Sequence, residues 1–278
     1  MPDTVMAATL PPTLPLLEAP IAVIDVETTG LSPRHGDRIV ELAVLRAEPD
    51  GRVAEWSSLV NPGRPISPAA GAVNGIRDID LVDAPPFVEL IVDLAEWVAG
   101  AVVVAHNAPF DLGFIAAEHQ RVGAPMIDAP IIDTLVLARR WFHFPSNSLG
   151  DVARALGVRG GRAHRAAGDA HTTYHVLRRM ADDLAPRGIV TLDDYLRGHG
   201  PGGKVGPDGT PRIDEPLATA IRDRRTVAIR YSRQGQTSER LVDPIAVQGG
   251  QLVAFCRLRQ AQRTFQLNRI VAAWWPEG

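Results

Sequence analysis

Ile21-Ala22-Val23-Ile24-Asp25-Val26-Glu27-Thr28-Thr29-Gly30 decides how this chain is read. An apolar run leads into two acids separated by one valine, and a Thr-Thr-Gly turn follows. In a strand the side chains alternate, so Val23, Asp25 and Glu27 share one face while Ile24 and Val26 share the other. Two carboxylates then stand roughly 6–7 Å apart on what should be the inside of an apolar strand. Like charges about 4 Å apart repel by roughly 4 kcal/mol at an intermediate dielectric, and partial burial adds a desolvation cost. Folding alone does not ask for that arrangement. A divalent cation between the acids makes it favourable, and carboxylate oxygens suit magnesium or manganese. By itself the stretch is equally compatible with an exposed strand end carrying two solvated acids.

Working outward, residues 38–48 and 52–60 read as two more strands joined by the turn Pro49-Asp50-Gly51, which makes an antiparallel meander. Residues 61–83 read as a long loop around Val73-Asn74-Gly75-Ile76. Apolar residues at helical spacing follow (Phe87, Leu90, Ile91, Leu94, Trp97, Val98), then a short, wholly apolar strand at 101–105. Asn107 and Pro109 are helix-start residues, so Asp111 falls in the first turn of a helix running to about Arg121. The helix dipole alone favours an acid there, and His106 reads equally as a packing histidine. Asp133 ends another apolar segment, 130–134, and reads as the cap of the helix at 135–141 rather than as a catalytic group. Ser146 or Asn147 is expected to cap a helix at 149–156. Beyond a Gly- and Arg-rich loop, Asp169 sits among Ala166, Ala167, Gly168 and Ala170 in a helix reaching about Leu184. Small neighbours let such a helix approach other backbone, or a substrate, closely.

With 278 residues, 45% of them hydrophobic and 22% charged, the chain has room for one medium and one small soluble domain. No apolar run approaches the roughly 18 residues of a membrane span, so no membrane partner is expected. Residues 1–19 are broken by Pro11, Pro12 and Pro15 and lack a basic start, which reads as a flexible leader. The single cysteine, Cys256, excludes an intrachain disulfide, fits a reducing cytoplasm and reads as a small buried residue. Gly and Pro dominate 198–211, so 187–212 reads as a linker region between a body at 20–186 and a small domain at 213–278. That small domain begins with a helix at 216–224. Short strands follow at 226–232, 239–247, 251–257, 264–267 and 270–274, with tight turns at Gln234-Gly235 and Gly249-Gly250, suggesting a small, mostly antiparallel β-barrel. Charge is uneven. From Arg212 onward eleven Arg face six acids, a balance of +5 within a total of −3. A basic tail on an acidic body points to a polyanionic partner.

Asp25-Val26-Glu27-Thr28, His106-Asn107-Ala108-Pro109-Phe110-Asp111, and His164 five residues before Asp169 together resemble the DEDD exonuclease family, over roughly residues 20–185. A histidine five before the last Asp, with Arg and not Tyr at 165, places the resemblance in the histidine, DnaQ-like branch of proofreading exonucleases. It implies an α/β fold, an RNase H-like mixed sheet flanked by helices. It also implies 3′→5′ hydrolysis of nucleic acid, DNA favoured and single-stranded 3′ ends preferred, with two Mg2+ or Mn2+ ions. Asp25, Glu27, Asp111 and Asp169 would be the ligands, Asp25 bridging. Neutral His164 would be the general base, with His171 and His175 as rivals that read mostly as structural. Two metals about 3.5–4 Å apart explain why four carboxylates are needed. Thr28, Thr29, Leu31, His106, Asn107 and Phe110 would lie around the terminal nucleotide, and Asn74 stands where many relatives carry His. A polymerase partner is compatible with that resemblance.

The tail resembles the bacterial WYL domain through Ala228-Ile229-Arg230-Tyr231, Arg240, Asp243-Pro244, and the runs 255–259 and 263–270. This implies a module for nucleic acid or a nucleotide-like ligand, with Tyr231, Arg240, Arg257, Arg259, Arg263 and Arg269 as its candidate contacts. The competing readings are a non-catalytic nucleic-acid or nucleotide sensor and an RNA-trimming exoribonuclease.

Overall fold

The computed structural model describes residues 10–201, 203–233, 236–248 and 250–276. Strand β1 (Ile21–Thr28) is the centre of a five-stranded mixed sheet. It pairs antiparallel with β2 (Ile39–Ala47), which pairs antiparallel with β3 (Val53–Leu59), so the expected meander is present. Helix α1 (Pro68–Asn74) interrupts the stretch read as a loop, its Ser67 side chain accepting from the Ala70 amide. After helix α2 (Phe87–Val98) comes β4 (Val102–Ala105), parallel to β1, then α3 (Ala108–Val122) and the parallel edge strand β5 (Ile131–Asp133). Helices α4 (Thr134–Trp141), α5 (Leu149–Ala155) and α6 (Ala166–Leu184) follow. Helix α5 is capped by Ser148, not by Ser146 or Asn147: its side chain accepts from the Asp151 amide, one turn in.

The two faces of β1 build two cores, as its alternation requires. Val23 packs with Leu45, Val104 and the Val176, Leu177 and Met180 side chains of α6. Ile24 and Val26 pack with Leu42, Val103, Leu94 of α2 and Leu112 of α3. The sheet is therefore clamped between α6 on one side and α2 and α3 on the other.

Two stretches taken as loose are part of this body. Leu16 is 1% exposed, its amide donates to the Val190 carbonyl, and Pro15 bridges Thr191, so residues 10–19 form a fixed strap; the rest of the leader expected at 1–19, residues 1–9, lies outside the described residues. Burying one leucine stabilises by about 1.5–3 kcal/mol, and packing of Leu10, Leu14 and Ala19 with the hydrogen bonds to 190–193 adds to it. The linker region likewise folds. It holds helix α7 (Leu192–Gly198), with Tyr195 1% exposed, and a hairpin of β6 (Lys204–Val205) and β7 (Pro211–Arg212) whose Val205 joins the sheet core. His199 is buried and accepts a hydrogen bond from the Asp133 amide at 2.9 Å, tying this segment to β5.

Beyond it, α8 (Leu217–Asp223) covers a second sheet of β8 (Val227–Arg233), β9 (Gln236–Gln248), β10 (Gln251–Cys256), β11 (Ala261–Gln266) and β12 (Ile270–Trp274). Its order is β11-β10-β9-β8-β12, all neighbours antiparallel. The sheet is open, not the expected barrel: β11 and β12 are opposite edges, with no ladder between them among the described residues. Closure requires first and last strands to pair; here Leu217 and Ala220 of α8 fill the core instead. Cys256 is buried in that core as expected. The turn expected at Gln234-Gly235 lies outside the described residues, as does Gly249. No helix among the described residues is long and apolar enough to cross a membrane.

Candidate active site

Strand β4 pairs with β1 only as far as Val23, which leaves the following β1 amides without a strand partner on that side. The N-terminus of α3 fills the gap. Its Asp111 is 3% exposed, and one carboxylate oxygen accepts the Val26 amide at 3.1 Å. The β4–α3 turn that places it is held by Asp133, which accepts from the Asn107 and Leu135 amides at 3.0 and 2.9 Å. Asp133 is thus the cap it was expected to be, and its burial raises it to about 6. Asn107 adopts a left-handed φ of 76°, a conformation Asn tolerates well.

On the opposite side of β1, Asp25 and Glu27 point toward the first turn of α6. One carboxylate oxygen from each of Asp25, Glu27 and Asp169 lies within 4.8 Å of the others. Burial first, then the charges of Asp111, Asp169 and Glu27, push Asp25 well above the ordinary carboxylate range. Burial, Asp169 and Glu41 raise Glu27 to about 7 against the opposing pull of Arg165 and a hydrogen bond from Asn74. Burial likewise raises Asp111 and Asp169, opposed by the Val26 and His164 amides. Hard oxygen donors crowded together and reluctant to ionise fit a divalent cation, whose charge offsets both the repulsion and the desolvation.

These shifts carry a sign. A carboxyl raised in the fold binds its proton more tightly folded than unfolded, so stability falls as pH rises through the window up to its folded value. Buried His106 and His199, lowered from 6.5 to about 4, act oppositely below 6.5. The carboxylate effect is therefore clean above about pH 6.5. In chelator, the melting temperature should fall as the pH rises from 6.5 through about 7, where Glu27 loses its proton, and added Mg2+ should restore it while releasing protons. A flat profile that magnesium leaves unchanged would show that the carboxylates are not coupled.

His164 lies on the loop before α6 with a left-handed φ of 59°, and its amide donates to Asp169 at 3.0 Å. Its side chain is exposed at the rim of the cluster. The small residues around Asp169 serve a close approach: a Cβ on Gly168 would lie 2.1 Å from the Arg162 carbonyl oxygen. His171 and His175 lie ring beside ring, tilted by 42°, on the exposed side of α6, about 200° and 240° around the helix from Asp169.

Glu41 and its pairing with Arg165 went unread in the sequence, and Asn74 was noted only as standing where relatives carry His. Glu41, 5% exposed, faces Glu27 across the β1–β2 ladder. It accepts the Arg165 Nε at 3.0 Å and the Ala166 amide at 2.9 Å. This pair pins the first turn of α6, and with it Asp169 and His164. Asn74 is 5% exposed, touches Glu27 and donates to the Thr28 carbonyl at 3.4 Å. Breaking a fully buried pair costs about 3–5 kcal/mol; with the Arg165 side chain 32% exposed, Glu41→Gln should cost about 1–3 kcal/mol. Urea unfolding checks this, and turnover should fall with it. Neither changing would leave the pair without a role in the site.

The expected nucleotide contacts divide. Leu31, 86% exposed, lines a groove of about 1010 Å3 together with Asn107 and Phe110. Lys204 and Thr210 of the β6–β7 hairpin, with Gln266 and Asn268, form its other wall. His106 is engaged elsewhere, its ring nitrogens 2.9 Å from Thr134 Oγ1 and 3.0 Å from the Asn147 carbonyl. Thr29 is buried, its amide donating to the Arg38 carbonyl and its carbonyl accepting from Ser67. The Thr28 hydroxyl donates to the Gly30 carbonyl at 2.6 Å. In the tail, Arg257 is paired with Asp243 at 3.0 Å, the Tyr231 hydroxyl accepts from the Gln266 amide at 3.3 Å, and Arg240 donates to the Glu239 carbonyl. Arg259 and Arg263 are exposed, whereas Arg269 is partly buried beside α4.

Comparison with known proteins agrees with this geometry. Residues 213–273 match the WYL domain. The PolC-type DNA polymerase III of Streptococcus thermophilus is 37% identical over 182 residues, 65% of this chain but 12% of that protein. A DNA polymerase III subunit epsilon-like protein of Rhodobacter capsulatus is 38% identical over 194 residues, 67% of this chain and 27% of its own length. The chain therefore spans only a small part of these curated relatives. Among solved structures, the zinc-bound E. coli ExoI–ssDNA complex has the same fold, with a TM-score of 0.61 at 19% identity over 86% of this chain and 54% of that one. Residues 22–177, which carry Asp25, Glu27, Asp111, His164 and Asp169, match the Exonuclease family, and the chain belongs to it.

Proposed function

We propose that the chain is a 3′→5′ exonuclease that releases nucleoside monophosphates from single-stranded ends, DNA in preference to RNA, with two Mg2+ or Mn2+ ions. The observation that carries this reading is the meeting of Asp25, Glu27 and Asp169 within 4.8 Å, with Asp111 behind them and His164 tethered to Asp169. Cations held by these carboxylates would supply Lewis-acid neutralisation of charge at the scissile phosphate. Asp25, Glu27, Asp111 and Asp169 would hold the cations, with Asp25 facing the charges of the other three. His164 takes the proton of the attacking water, its exposed ring free to meet the substrate phosphate from the solvent side. Leu31 and Phe110 offer apolar surface to the terminal base, and Asn107 a polar group beside them. Similarity to polymerase III segments supports DNA as substrate and leaves a polymerase as the natural partner.

The C-terminal module closes the groove from the other side through Gln266 and Asn268. In this reading it steadies the strand behind the terminal nucleotide, and exposed Arg259 and Arg263 add attraction for phosphates. A 5′-labelled single strand incubated with Mg2+ should give a ladder shortened from its 3′ end, and EDTA should stop it. Shortening from the 5′ end, or none, would overturn the assignment.

A further inference from the structure

Where α4 ends against the second sheet, a crevice of about 320 Å3 opens between the two parts of the chain. Arg139 and Arg140 of α4, Arg230 and Ser232 of β8, and Thr237 of β9 line it. A smaller void shares Arg139, Arg140 and Ser232 and adds Arg269. None of the five residues of the exonuclease site lines either.

The charges here do not balance. Arg230 is answered by Glu239 at 2.8 Å. Arg140 has only the Val271 carbonyl at 2.8 Å and the ring of Trp141. Arg139 and Arg269 have no hydrogen-bond or ion-pair partner among the described residues, and the Arg139 and Arg140 Nε atoms are buried unpaired. Asp133 attracts Arg139 only from beyond ion-pair range. Burial, then the charge of Arg269, hold the Arg139 guanidinium below its ordinary value. Half-buried guanidinium groups facing a void, with no anion against Arg139 or Arg269 among the described residues, carry a desolvation cost that no described residue returns.

A phosphate group answers this: the planar forks of arginine match its oxygens, and such bonds are among the stronger ones. A volume of about 320 Å3 lies at the small end of ligand pockets, room for a mononucleotide but not for a passing strand. We propose that this crevice binds the phosphate group of a small phosphate ester, no larger than a mononucleotide, between α4 and the C-terminal sheet. Occupancy would tie the module to the helix that follows Asp133, and so to the turn that places Asp111. The proposal stands apart from the exonuclease reading, since the carboxylates take no part in it.

The test uses the full chain in EDTA at fixed ionic strength, with adenosine 5′-monophosphate, inorganic phosphate, adenosine and a ten-nucleotide dT strand as probes. Calorimetry should show saturable binding of the monophosphate and of phosphate, and none of adenosine. Arg139→Gln removes an unpaired charge, so its unliganded melting temperature should equal or exceed that of the wild type. Its affinity for the monophosphate should drop about tenfold or more. Arg230→Gln, on an exposed strand position, should weaken binding in the same direction. No saturable binding above a chloride control, wild-type affinity in both variants, equal binding of adenosine, or binding of the dT strand alone would each overturn the proposal.

Discussion

Changing Asp25 to Asn is expected to lower Mg2+-dependent nucleotide release by roughly 10^3-fold or more. Charge stabilisation by bound cations contributes several kcal/mol to a phosphoryl transition state, and about 4 kcal/mol corresponds to that factor. The same substitution removes the most hemmed-in of four mutually repelling acids. In chelator, therefore, the variant should melt at the wild-type temperature or above, and magnesium should no longer raise it. Loss of activity with a lower melting temperature would mean only that the fold was damaged. Full activity in a well-folded variant would remove Asp25 from the chemistry, and the exonuclease assignment with it.

His164→Asn is the second large effect. Asparagine tolerates the left-handed backbone that His164 adopts, and the hydrogen bond to the Asp169 carboxylate is donated by the backbone N–H of residue 164, not by its side chain. The variant should keep its fold and its response to magnesium while losing the proton acceptor. General bases contribute about 10^2- to 10^4-fold, so kcat should fall by that order with KM little changed. A matched rise in KM with kcat intact would make His164 a substrate contact instead. The exposed pair on α6, His171 and His175, should be replaceable without effect on kcat.

Much of the fold could be read from local pattern. The alternation in β1, the wholly apolar β4 and the helix-start signal at Asn107 and Pro109 each state their own structure. Those elements carry Asp25, Glu27 and Asp111, but local pattern left each acid equally compatible with a solvated strand end or a helix start; grouping them as one site came from the resemblance to the DEDD exonucleases. Glu41 was not readable. It is one acid inside an apolar strand, and its partner Arg165 lies 124 residues away, so nothing near it announces the pair. Helix α1 did leave a signal, Ser67 followed by Pro68, which a loop reading built on Gly and Pro content passed over. The same content made 198–211 look like a spacer. Composition averages over a segment, whereas His199 and Val205 anchor theirs one residue at a time. The barrel was expected from a run of short strands and tight turns, which cannot say whether the preceding helix or a closing strand fills the core.

The strap at 10–19 and the helix at Leu192–Gly198 hold each other against the nuclease body through Leu16, Val190 and Thr191. Anyone cutting the gene to obtain the catalytic part alone would naturally stop near residue 177 or 186. Such a fragment would lose Tyr195, His199 and Val205 together, strip cover from two separate cores and tend to aggregate when produced. A workable cut lies further on, past the β6–β7 hairpin, and keeps the strap from residue 10.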